Sequence, residues 1–386
     1  MLFLIVLPFV VPGCKTVTDS QTLRPRQLRD VPAKNLAFTF QADVQPPPNL
    51  ADEVAKSLPA IQLDFESKRP NDALLRTVSS PDGQRALALY GTADESVATF
   101  RIDLYSADGN FIRNVTPPTL AVVFQDSVAW SADSSMFAFV GRKSDAAQPS
   151  PTPLDLQPPP LLSSASPVPT ATIGPAFAPL AVFSTEQIYV CNKDGYELRP
   201  LTSRDGLIYF GLTWAPDGHA IAALACKESE WDAREKLNQT ATGRPRVIGI
   251  DGVERLLDDQ LAEAPPAWSP DSSKIATAFA DDVGIYDAAN KAPTQARIKL
   301  NETLLTASAA YEEKLPGKKV DASKDQSNSS ANVFHASFNP IVRIEWPVPE
   351  KMYLETAFIR LFNEPVHTWS RWHLVTFSPQ AALMKK

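Results

Sequence analysis

The carboxylates are the first candidates for chemistry. Asp82, Asp108, Asp133, Asp194, Asp217, Asp251 and Asp271 recur along the chain, each followed directly by Gly or Ser. Regularly spaced acids can hold a cation, but Asp before Gly or Ser is also turn chemistry, with the side chain accepting from backbone two residues on. The second reading explains the regularity. The four histidines are His219, His335, His367 and His373, and the last two flank Trp369 and Trp372 in "PVHTWSRWH". A metal or general-base site would need further ligands, and no Cys or carboxylate stands at zinc-ligand spacing nearby. The pair therefore reads as two structural histidines on a strand–turn–strand segment. Cys191 and Cys226 could form a disulfide in an exported protein, but disulfide geometry is demanding and two buried thiols behaving as small hydrophobes are the favoured reading. The chain has no G-x-S-x-G elbow, no phosphate loop and no G-x-G-x-x-G after a strand. The expectation is a protein that is not an enzyme and carries no cofactor or metal.

The elements around these residues are repeats. "AWSPDSSKIATAFA" (267–280) returns as "TWAPDGHAIAALAC" (213–226) and "AWSADSSMFAFVGR" (129–142). A fourth copy, "SSPDGQRALALYG" (79–91), has Ser79 where the others have Trp130, Trp214 and Trp268. A fifth, looser copy at 345–357 puts Trp346 there, with Phe338 as a rival, and "TFSPQAALM" (376–384) looks like a fragment of a sixth. In each phrase Pro81, Pro216 or Pro270 presets the second position of a type I turn and Asp82, Asp217 or Asp271 follows; Asp133 follows Ala132 instead. The apolar run after the turn has a strand's length. A second phrase, such as "QIYVCNKDGYELRPLT" (187–202), adds a hairpin centred on Asp-Gly. Two hairpins make four antiparallel strands, and four-stranded units repeating about every 40–55 residues indicate an all-β propeller.

These phrases resemble the WD40-like PD40 repeats of TolB-like propellers over roughly residues 74–384. The resemblance implies a ring of six blades, with five or seven as alternatives. It also implies action through envelope-tethering protein partners rather than catalysis. Closing the ring calls for N-terminal strands, with 35–44 ("NLAFTFQADV") or 60–65 ("AIQLDF") as the candidates.

The remaining segments read as attachments. The apolar run "MLFLIVLPFVVPGC" resembles a bacterial lipoprotein signal, with Gly13 before a lipidated Cys14. Lys15 rather than Asp follows it, so outer-membrane sorting is the default. Residues 1–14 are then the signal, 15–34 a flexible tether and 35–386 the propeller. Three inserts interrupt the ring: a Pro-rich one at 144–182, a helical excursion at 229–242, and a polar mobile loop at 304–333. A net charge of −7 and no basic stripe argue against nucleic acid. The expected role is an exported, lipid-anchored scaffold for an envelope protein, touching the membrane only through its lipid. The alternatives are a glycan-acting or small-ligand-binding enzyme with acids at its channel mouth, and a structural subunit of a membrane-associated assembly.

Overall fold

The computed structural model describes residues 27–48, 50, 58–92, 100–143, 186–288, 292–314, 337–360 and 367–378. Cys14 and the Pro-rich insert at 144–182 lie outside the described residues. Five antiparallel sheets follow one another along the chain, and the protein is an all-β propeller of four-stranded blades. Blade 1 comprises Asp72–Ser79, Arg85–Thr92, Arg101–Ser106 and Phe111–Asn114. Blade 2 splits its first strand into Leu120–Val122 and Ala129–Trp130, then adds Met136–Lys143, Gln187–Asn192 and Arg199–Pro200. Blade 3 comprises Leu207–Trp214, Ala220–Lys227, Arg244–Gly249 and Glu254–Leu256. Blade 4 comprises Ala267–Trp268, Lys274–Phe279, Asp282–Asp287 and Gln295–Lys299.

Blade 5 is assembled from both ends of the described chain. Ile341–Val348, Lys351–Arg360 and His367–Ser378 give three strands, and Ala37–Val44 pairs with the last of them as the fourth. The N-terminal strand therefore completes a blade. Where a sixth blade was expected, "TFSPQAALM" instead begins inside the third strand of blade 5, and "PVHTWSRWH" runs into that same unbroken strand. Residues 60–65, the other closure candidate, belong to helix α1 (Pro59–Lys68). Pro59 sits in its first turn, where the missing N–H costs nothing, and Ile61 and Phe65 are buried one turn apart.

The middle strands are apolar on both faces because each blade is sandwiched between neighbours. In "IAALAC", Ile221, Ala223 and Ala225 pack toward blade 2, while Ala222 and Leu224 pack toward blade 4. This period of two with both faces buried gives a continuous apolar run rather than alternation. Equivalent clusters join blades 1 and 2 and blades 4 and 5. The seam between blades 5 and 1 is different. The face of blade 1 turned away from blade 2 (Ala86, Ala88, Tyr90, Tyr105) packs on Ile61 and Phe65 of α1. Among the described residues, no apolar cluster joins blade 5 to blade 1.

The recurring tryptophan staples one blade to the one before it. The indole N–H of Trp130 donates to the carbonyl of Val78 at 2.9 Å, that of Trp214 to Ala129 at 3.1 Å, and that of Trp268 to Thr213 at 3.0 Å. Each acceptor is the residue just before the equivalent slot in the preceding blade. Such a bond contributes about 1 kcal/mol, and the buried ring adds more through area. Ser79 fills the slot in blade 1, whose outer face meets α1 instead of a sheet. Trp346 is buried between blades 4 and 5, but its N–H donates within its own turn, to Pro349 at 3.1 Å.

Two expected segment assignments change. Residues 27–34 are not free tether: Leu28 and Ala33 are buried in the core shared by blades 4 and 5, and the Ala33 N–H donates to Asp287 at 3.1 Å. Residues 304–314 are not loop either. They belong to helix α3, whose range is Asn301–Lys314, with Leu304 and Ser308 buried; the remainder of 304–333 lies outside the described residues. Helix α2 (Glu228–Lys236) takes up the first part of the 229–242 insert.

Candidate binding site on the propeller axis

Residues in or beside the first strands of blades 2, 3 and 5, with the segment leading into blade 4, line a common cavity of about 610 Å³. Blade 2 contributes Phe124, Asp126 and Ser127 from the short turn that interrupts its first strand. Blade 3 contributes 210–213, where a bulge between Phe210 and Thr213 breaks the register, with Gly211 at φ +59°. Such bulges re-aim side chains at the rim of a sheet. Glu263, Pro265 and Pro266 lead into blade 4, and 342–345 of blade 5 complete the wall, again beside a bulge.

Helix α2 brings Trp231 to the wall of this space. The Trp231 ring stands 5.1 Å from Phe124 and 5.5 Å from Phe210, centroid to centroid. Nothing in α2 is buried, so Trp231 is not a core anchor. The wall is acidic as well as aromatic. Glu263 accepts from Arg234 at 2.6 Å, and Glu345 from Arg343 at 2.6 Å. Asp126 is exposed. Both glutamates are thus already committed to arginine partners.

The residues singled out in the sequence sit elsewhere. In the turns, Asp82, Asp133 and Asp271 each accept from a Ser hydroxyl two residues back (Ser80, Ser131, Ser269) at 2.6–2.7 Å and from a backbone N–H two residues on at 3.0–3.1 Å. Asp217 accepts from the His219 N–H at 3.0 Å. The Ser80 and Ser131 bonds hold Asp82 and Asp133 below the usual carboxylate range. For Asp271 burial pushes upward, but the Ser269 and Ser273 bonds outweigh it and the net direction is down. The turns also meet one another: the Asp82 N–H donates to Ser134 of the next blade, and the Asp217 N–H to Ser272. Pro81, Pro216 and Pro270 stand at the second positions of these turns, each closed by a backbone bond from the fourth residue to the first. These residues build the ring and stay outside the axial cavity.

His373 is fully buried in blade 5. Its Nδ1 accepts from the Asp43 N–H at 3.3 Å, and its Nε2 lies 2.9 Å from the Thr356 hydroxyl. Both ring nitrogens are occupied, and burial followed by the neighbouring Arg371 charge pushes the imidazole down to about 4. The His367 side chain lies outside the described residues. Among the described residues, no group of three His, Cys, Asp or Glu side chains could hold a metal ion.

Cys191 and Cys226 are free thiols, not a bridge. Cys191 packs toward blade 1, whereas strand alternation sets Cys226 with Ala222 and Leu224, which pack toward blade 4. Burial pushes both thiols up to about 12.

Trp231, Phe124 and Phe210 were not legible as a site in the sequence. The signal available was a lone Trp inside the otherwise polar "ESEWDAREK", off the repeat spacing.

No protein-family model and no curated protein sequence matches the chain. Solved propeller structures are similar to it at low identity. Prolyl oligopeptidase B from Galerina marginata aligns at 10% identity over 80% of this chain and 35% of that one, with a TM-score of 0.41. A putative TolB from Agrobacterium tumefaciens aligns at 13% identity over 80% of this chain and 91% of that one, with a TM-score of 0.32. The Cps50 (Swd1) β-propeller domain of Myceliophteria thermophila aligns at 10% identity over 60% of this chain and 48% of that one, with a TM-score of 0.29. The chain thus spans about a third of the length of the prolyl oligopeptidase. The fold rests on the sheets and staples themselves, since likenesses this distant say nothing of function.

Proposed function

We propose that the protein is a non-catalytic binding scaffold of the cell envelope. It is held at the membrane by lipid on Cys14 and engages an envelope protein through its axial cavity. The observation that carries this reading is the composition of the cavity wall: three aromatic rings and two prolines, with both glutamates already bound by arginines. General acid–base work needs a group within reach of a substrate proton. An aromatic, half-apolar concavity on a rigid ring is suited to holding a partner.

The test is a crosslinked pull-down from envelope fractions with wild type and Cys14→Ala. The scaffold reading expects wild type to partition with membranes and capture a defined set of envelope proteins, and the variant to lose the membrane fraction. Capture of nothing by wild type, with turnover of a glycan by the purified protein, would overturn it.

A further inference from the structure

Resting on the reading of the axial cavity as a binding site, we propose that its occupant is a basic segment of the partner protein. One arginine or lysine of that segment enters against Trp231, Phe124 and Phe210, with its charge among the cavity's carboxylates.

Three observations converge on a cationic occupant. The first is Trp231 itself. It is the sole aromatic of a nine-residue helix with no fully buried residue, and it is itself only partly buried, against Phe124 and Phe210. Its ring closes a three-ring cluster with them at the cavity wall. The face of an aromatic ring carries negative potential and attracts guanidinium and ammonium groups, Trp most strongly.

The second is charge. Asp126, Glu263 and Glu345 line the cavity; Glu263 is paired with Arg234 and Glu345 with Arg343, so three acids stand against two arginines and the balance is one net negative charge. The whole chain carries −7, which favours encounter with a basic segment in general. The third is shape. The space of about 610 Å³ is far larger than one side chain and accommodates a short stretch of peptide. The chain's own Pro-rich segment, residues 144–182, is a poor match: it carries Asp145 and Asp155 and contains no Lys or Arg.

The experiment is fluorescence anisotropy on the full chain with a labelled Gly-Arg-Ala-Arg-Gly peptide. The comparison peptide replaces both arginines with citrulline, which keeps the shape and removes the charge. The arginine peptide is expected to bind at least tenfold more tightly than the citrulline peptide. Trp231→Ala is expected to weaken it at least tenfold, Trp231→Phe by only a few-fold, and Glu345→Gln several-fold. Asp205→Asn, an exposed acid outside the cavity, is expected to leave binding unchanged and controls for general charge attraction. Unchanged melting temperatures for the Trp231 variants confirm that the ring is intact.

Equal binding of the two peptides, or full binding by Trp231→Ala, overturns the proposal. So does binding that appears only after residues 144–182 are deleted, which would make the chain's own insert the occupant. The two levels separate cleanly. If Trp231→Ala captures the same envelope proteins as wild type, the scaffold reading stands and the cavity assignment falls. If wild type captures none, the scaffold reading falls whatever the peptide does.

Discussion

Replacing Trp268 with Phe isolates the staple between blades 3 and 4. Trp268 is 8% exposed, and its Nε1–H donates to the Thr213 carbonyl at 3.0 Å. Phe keeps most of the ring but has no donor. Loss of the bond costs about 1 kcal/mol, and the carbonyl left without its partner brings this to about 1–3 kcal/mol. The smaller ring forgoes roughly 40 Å² of apolar burial, about 1 kcal/mol more. The expected destabilisation is therefore about 2–4 kcal/mol by urea unfolding. The structure also says where it is felt. The acceptor lies in the first strand of blade 3, Leu207–Trp214, so amide exchange should rise in that strand as well as in Ala267–Trp268. Trp346→Phe breaks a bond inside its own turn, and exchange in blade 4 should not follow it. A loss below about 0.5 kcal/mol for Trp268→Phe, or exchange changes confined to blade 4, would refute the stapling argument.

Other consequences follow from buried polar groups. Lys274 and Asp287 form an ion pair at 3.0 Å with each side chain 1% exposed, and Asp287 also receives the Ala33 N–H and Thr294. Asp287→Asn should cost about 3–5 kcal/mol, because it leaves the ammonium buried without a counter-charge, whereas a paired Lys274→Met/Asp287→Leu change should cost less than the two single losses combined; calorimetry of the three variants decides. His373 is held down to about 4 against 6.5 in an unfolded chain, so the unfolded state takes up its proton first. Stability from this group is complete above pH 6.5 and is lost as pH falls toward 4, by about 3 kcal/mol, and His373→Gln should flatten that part of a stability–pH curve. The turn aspartates contribute in a lower window, since carboxyls held below 3.8 lose their stabilisation only as pH falls beneath that value. Ser134 sits at φ +61° and accepts the Asp82 N–H at 2.9 Å. Ser134→Ala should cost about 1 kcal/mol, while Ser134→Gly relieves about as much backbone strain as it loses in bonding and should come out near neutral in thermal melts.

The blades were legible because their signals are local. Pro81-Asp82-Gly83 or Trp268-Ser269-Pro270-Asp271 states a turn within four residues, and the apolar run beside it states a strand. Closure was less legible because it depends on partners far apart in sequence. Residues 35–44 read as a strand, and Ala37–Val44 of them form one, since "AFTFQADV" has strand character of its own. Residues 60–65 also read as a strand, but the burial of Ile61 and Phe65 has helical spacing, visible only once blade 1 offers a face for them. The described residues form five sheets where six blades were the first expectation and five an alternative, because the N-terminal strand and the terminal fragment both belong to blade 5. Ser79 in place of Trp marks the blade whose free face packs on α1 among the described residues, and it becomes readable only beside the three staples. The cavity was the least legible part. Phe124, Phe210 and Trp231 come from a turn, a bulge and an insert, and although first-strand bulges recur in blades 1 and 5, an aromatic residue leading into the bulge does not.

Placing a photo-crosslinking residue at position 231 of the chain tests the central claim most directly, with position 205 on the exposed surface as its control. Irradiated envelope fractions are expected to give a discrete protein adduct from position 231 and none from position 205. Adducts from position 205 alone, or from neither position in fractions that bind the protein, would contradict an axial binding site.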